Sequence, residues 1–127
     1  MKFLRIGLLS ILVILPAGCG MRKPDSTRVF ESPRGDYSIV IEKFVGTGTL
    51  SSDYAEVYAV RKIGDKSVKE LILDGELDVS KINWTGDRDI QICISPYSIT
   101  SRFHNVVPLI YGITQINIHS TIKEGCA

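Results

Sequence analysis

The 127-residue chain lacks an excess of either charge: 15 Lys and Arg stand against 14 Asp and Glu, a net of +1. A generic nucleic-acid binder shows a basic excess on one face, so no nucleic-acid partner is expected. Membrane-length apolar runs are lacking too. The apolar stretch at 6–15, interrupted only by Ser10, falls short of the ~20 residues a spanning helix needs. No window of about a dozen residues carries the apolar spacing of an amphipathic helix. Histidine is scarce, with only His104 and His119, and neither G-x-S-x-G nor H-E-x-x-H occurs. These two His and the three Cys lack the close paired spacing of zinc modules, so no metal and no cofactor are expected. Five Pro and eleven Gly exclude collagen-like and low-complexity classes, while an apolar fraction of 44% suffices for a folded core.

What is present begins with an address. Lys2 and Arg5 give a basic start, residues 6–15 are apolar, and Pro16, Ala17, Gly18 and Cys19 follow. That order is the order of a secretory signal. Leu15-Pro16-Ala17-Gly18-Cys19 resembles the lipobox of bacterial lipoproteins, with Pro16 where that family usually carries Leu. The resemblance implies cleavage before Cys19, a lipid on Cys19, and anchoring in the cell envelope. Gly20 after it, in place of Asp, implies the outer membrane, facing the periplasm. A soluble periplasmic or secreted form is the alternative. The expected organisation is a signal peptide at 1–18, a lipidated Cys and polar tether at 19–31, and a single β domain at 32–127.

With Cys19 assigned to lipid, Cys93 and Cys126 remain. Export would place them where disulfides persist, so a Cys93–Cys126 bridge is expected. Two unpaired thiols, with Cys93 packed in a strand, are the alternative. The bridge would close a loop of about 33 residues, for which loop entropy gives roughly 3–4 kcal/mol.

Beyond residue 31 the apolar period is two. Tyr37, Ile39 and Ile41 alternate with polar or smaller neighbours, as do Tyr54, Glu56 and Tyr58, then Ile90, Ile92 and Ile94, then Ile116 and Ile118. β-branched and aromatic residues fill these runs, as pleated, half-buried surfaces prefer. Gly35-Asp36, Gly64-Asp65, Asp74-Gly75 and Gly86-Asp87 punctuate them. The expected fold is all-β, a small antiparallel sandwich or barrel-like domain of about seven strands. They fall near 37–45, 54–63, 67–73, 82–84, 89–95, 99–106 and 113–121, with a short turn at 77–81. Residues 32–37 and 84–90 resemble the strand-opening turns of propeller repeats. One blade cannot make a propeller, so residues 32–95 are read as a four-stranded meander.

The candidate contact residues are Tyr54 and Tyr58, which share one strand face, and the neighbouring Ser51, Ser52 and Asp53. These last belong to a loop rich in Gly and hydroxyls at 46–53. Tyr anchors protein interfaces, and loops on β scaffolds present partners. Asp74-Gly75-Glu76-Leu77-Asp78 lacks the spacing of a calcium loop and is read as a solvated turn. Residues 106–111 are apolar without period, either a buried connector or an exposed contact patch. His104 and His119 are expected at the surface. The expected function is a non-enzymatic module binding another envelope protein, of the inhibitor or immunity kind. The alternatives are a structural accessory of envelope assembly and a small cell-wall hydrolase.

Overall fold

The computed structural model describes residues 23–46 and 53–126. Among these described residues nine strands follow one another: β1 (Ser26–Glu31), β2 (Tyr37–Phe44), β3 (Tyr54–Ile63), β4 (Lys66–Glu76), β5 (Val79–Trp84), β6 (Asp89–Ile94), β7 (Ile99–Phe103), β8 (Val106–Tyr111) and β9 (Thr114–Glu124). They form two sheets, one ordered β1-β2-β3-β4-β7 and the other β5-β6-β9-β8. The expected all-β sandwich is present, with nine strands in place of about seven.

The first sheet opens with a four-stranded antiparallel meander, β1 to β4. It is shifted from the meander expected at 32–95. Ser26–Glu31, read from its polar residues as tether, forms the edge strand β1, where Val29 and Phe30 pair with Val40 and Ile39. Conversely, the segment ending at Trp84 leaves the meander. At Leu77-Asp78 the chain turns a corner into the second sheet, so β5 begins at Val79, where a short turn was expected. β7 then returns to pair with β4. One pairing departs from the antiparallel expectation: β6 and β9 run parallel, Asp89 beside His119 through Ile94 beside Glu124.

Alternation decides which side chains meet. Ile39, Ile41, Val57, Ala59, Ile72 and Leu73 point inward from the first sheet, and Ile82, Ile90, Ile92, Val107, Leu109 and Ile118 from the second. Trp84 closes β5, within the strand expected at 82–84, and packs against this core. Arg28 ties one open side of the sandwich, its Nη1 donating to the Val79 carbonyl at 3.1 Å. Within the first sheet the His104 amide prolongs the β4–β7 ladder, donating to the Ile72 carbonyl at 2.7 Å.

The expected disulfide is formed between Cys93 in β6 and Cys126 just beyond β9. It staples the chain end to the centre of the second sheet.

The registers give the sandwich two poles. Ser26, Lys43, Ala55, Gly75 and Thr100 form one row across the first sheet, next to Leu77-Asp78. Val79, Ile94 and Glu124 lie at the same pole in the second sheet. The β1–β2, β3–β4, β5–β6 and β8–β9 turns occupy the opposite pole. Gly112, with φ of 61°, takes the first position of the two-residue β8–β9 loop, a backbone that favours glycine there.

Candidate functional site

Tyr54 and Tyr58 alternate with buried Ala55, Val57 and Ala59, so they stand on the outer face of the first sheet. That face carries an acidic row. Glu42 pairs with Glu56, and Glu56 with Asp74, and like charges directly opposite repel. Cations and hydroxyls relieve the row. Arg102 is the register partner of Asp74; its Nε donates to Asp74 Oδ2 at 2.9 Å and its Nη2 donates to the same oxygen. The Tyr54 hydroxyl donates to Oδ2 at 2.6 Å. Lys69 Nζ donates to both Glu42 carboxylate oxygens at 3.2 Å and lies 4.1 Å from the centre of the Tyr58 ring.

This network sets the titration of its members. Burial pushes the Asp74 carboxyl up, but the Arg102 and Tyr54 hydrogen bonds and the Arg102 charge outweigh it and hold it below its ordinary value. Burial and the nearby Glu56 carboxylate push the Tyr58 hydroxyl up to about 12. Burial and the bond to Asp74 raise Tyr54. Both tyrosines are half-buried and engaged within the chain. Asp74 is buried within strand β4, contrary to the solvated turn expected there, and its Oδ1 has no partner.

Asp53 is exposed beside the pole where β1 begins. It accepts from the Gly46 amide at 3.1 Å and lies 3.7 Å from Lys43 Nζ. Ser51, Ser52 and Cys19 lie outside the described residues. Around Asp53 opens a cleft of about 430 Å³, lined by Lys43, Glu76, Leu77, Asp78, Ser95, Tyr97 and Ser98. Ser98 Oγ accepts from the Asp78 amide at 3.0 Å and so fixes one wall.

A stretch of chain rich in exposed apolar side chains begins at this cleft. Tyr97, Ile99, Phe103, Val106, Ile110, Tyr111 and Ile113 are all exposed, and all fall within residues 97–113. Residues 106–111, read as connector or patch, form a strand with both characters. Val107 and Leu109 are buried, while Val106, Pro108 and Ile110 face solvent. Across β9 their register partners are His119, Asn117 and Gln115. The tip residue Ile113 is fully exposed.

Residues 103–122 contain no Asp, Glu, Lys or Arg. This charge-free run was the readable signal for the surface, but Pro108 and the unbroken apolar letters hide the alternation inside it. The first β6–β9 pair is Asp89 with His119, so β9 extends five residues past β6 before the hairpin turns. That is roughly 17 Å at the usual strand rise. The tip lies at the pole opposite Ser26.

His104 and His119 are both exposed. The His119 amide donates to the Arg88 carbonyl at 2.8 Å, a structural use of its backbone. Among the described residues no three His, Cys, Asp or Glu side chains gather as metal ligands. No protein-family model matches the chain, and no curated protein or solved structure matches it either.

Proposed function

We propose that this chain is an exported, lipid-anchored protein of the cell envelope whose β domain is a non-enzymatic module that binds another envelope protein. Residues 1–18 support export, and Ala17-Gly18-Cys19 supports lipidation. The Cys93–Cys126 bridge suits an oxidising compartment. An inhibitor or an immunity-type protein uses its fold in this way, as a scaffold for a contact surface.

One observation carries the binding reading: the exposed, charge-free β8–β9 hairpin. Its side chains enter an apolar pocket without desolvating an ion, and burying a charge is what most weakens an interface. Tyr111 beside Ile113 supplies an aromatic and an aliphatic anchor at the tip. The tether reading orients it, because β1 starts at the opposite pole and the tip then projects away from the membrane.

The test is capture of an envelope protein by the full chain immobilised on beads. Tyr111→Asp and Ile113→Asp abolish the capture, and Lys62→Glu on the β3–β4 hairpin retains it. Equal capture by all four chains would overturn the assignment. The cleft rimmed by Asp53, Glu76 and Asp78 favours a second reading, a small cell-wall hydrolase. That reading requires turnover of peptidoglycan or polysaccharide that Glu76→Gln abolishes.

A further inference from the structure

We propose that Tyr97 and Ile99 form a membrane-contact patch, seated in the headgroup layer of the membrane that holds the Cys19 lipid. The proposal deepens the anchored-module reading and rests on its lipid anchor.

The turn that presents Tyr97 is held from several sides. The Ser98 amide donates to the Ser95 carbonyl at 3.0 Å, and Pro96 sets the backbone at the second position of that turn. The Tyr97 amide donates to Ser95 Oγ at 3.2 Å. The Asp78 amide donates to Ser98 Oγ, and the Asp78 carbonyl accepts from the Ser95 amide at 2.9 Å. On this fixed turn Tyr97 is 92% exposed, and Ile99, two residues on at the start of β7, is 61% exposed. A tyrosine suits the boundary of a bilayer, with an apolar ring and a hydroxyl that stays wet.

The path of the chain selects lipid as the occupant. Tyr97 and Lys43 line one cleft, and Lys43 is the register partner of Ser26, where β1 begins. The Asp25 amide donates to the Lys43 carbonyl at 2.8 Å, so the chain enters the domain at this pole. Lys23, the first described residue, is four residues after Cys19. Four residues span at most ~14 Å. The six residues of β1 alone cover about 20 Å at the usual strand rise. A lipid on Cys19 therefore keeps the Tyr97 pole, and not the hairpin tip, beside the membrane.

The charges of the cleft set the mode of contact. Lys43 is offset by Asp53 at 3.7 Å, and Glu76 and Asp78 leave the rim acidic. Such a rim does not attract anionic headgroups, so the contact is insertion of the Tyr97 ring and Ile99 rather than charge pairing.

The test uses the lipidated chain anchored in vesicles of phosphatidylethanolamine, with or without phosphatidylglycerol. A photoreactive residue replaces Tyr97, Ile99, Tyr111 or Lys62 in turn. Lipid adducts are expected at Tyr97 and Ile99 and are lost at Tyr111 and Lys62, which lie at the opposite pole. Phosphatidylglycerol leaves the yield at Tyr97 unchanged. Absence of adducts at Tyr97 and Ile99 overturns the proposal, as does an equal yield at Tyr111 or Lys62. A yield at Tyr97 that requires phosphatidylglycerol overturns it too, because charge would then drive the contact. In each of these cases intact mass still shows the diacylglyceryl group, and the anchor reading stands. A chain without that mass overturns the anchor reading, and this proposal with it.

Discussion

Asp74 shows how single residues hold the outer face of the first sheet together. Its carboxylate is buried, while the Arg102 side chain that bonds it is 60% exposed. Arg102→Ala leaves Tyr54 as the one side-chain partner of that carboxylate and destabilises the fold, modestly because solvent screens Arg102. The folded chain holds the Asp74 carboxyl below its ordinary value. Stability from this source is therefore complete above about pH 4 and is lost as pH falls through the lowered folded value. In urea unfolding, the gap between wild type and Arg102→Ala is widest at neutrality and closes in acid. A gap unchanged down to about pH 2 contradicts the pairing.

Gly75 is a second such residue. Its φ is 147°, and a Cβ there would meet the Ile99 carbonyl oxygen at 2.2 Å and the Ser101 amide at 2.8 Å. Gly75→Ala therefore pushes β7 off β4. Amide exchange in 99–103 accelerates while the β5–β6 amides keep their protection. The sequence marks Asp74-Gly75 only as turn-like, because the partner strand that crowds Gly75 lies 24 residues further on. Likewise, no local signal shows that Arg102 and Tyr54 converge on one carboxylate.

At the scale of strands, period-two alternation located β2, β3, β6 and most of β9, because each buries one face against a single core. It failed where burial is incomplete or doubled. β1 is an edge strand with only Phe30 half-buried, so its letters read as tether. β4 carries a bulge near Tyr58 that sets Ile72 and Leu73 both inside. β8 alternates in burial but not in hydropathy, since its outward residues are apolar as well. The tyrosine pair was legible as one face, yet the charged network holding it was not.

The disulfide belongs to this scale too. Cys93→Ser with Cys126→Ser removes the closure of a 33-residue separation. The expected loss is roughly 3–4 kcal/mol in chemical unfolding. Fraying begins at the β9 end, read as early amide exchange in 120–124. A double variant as stable as wild type would show that the bridge adds nothing to the packing of β9 on β6.

At the scale of the molecule, the proposed export, anchoring and binding together imply one orientation. The mature protein should start at Cys19 and carry the mass of a diacylglyceryl group, read by intact-mass spectrometry. Retention of residues 1–18 contradicts the anchor. The proposed tether at the pole where β1 begins would set the β8–β9 tip, with the β1–β2, β3–β4 and β5–β6 turns, at the pole away from the membrane. Site-specific photo-crosslinking in intact cells, scanned over Tyr111, Ile113, Glu31 and Lys62, tests most directly whether the hairpin tip is the contact surface. Adducts to a second envelope protein at Tyr111 and Ile113, with none at Glu31 or Lys62, are the predicted outcome. Adducts confined to Glu31 or Lys62, or none at the hairpin tip, would contradict it.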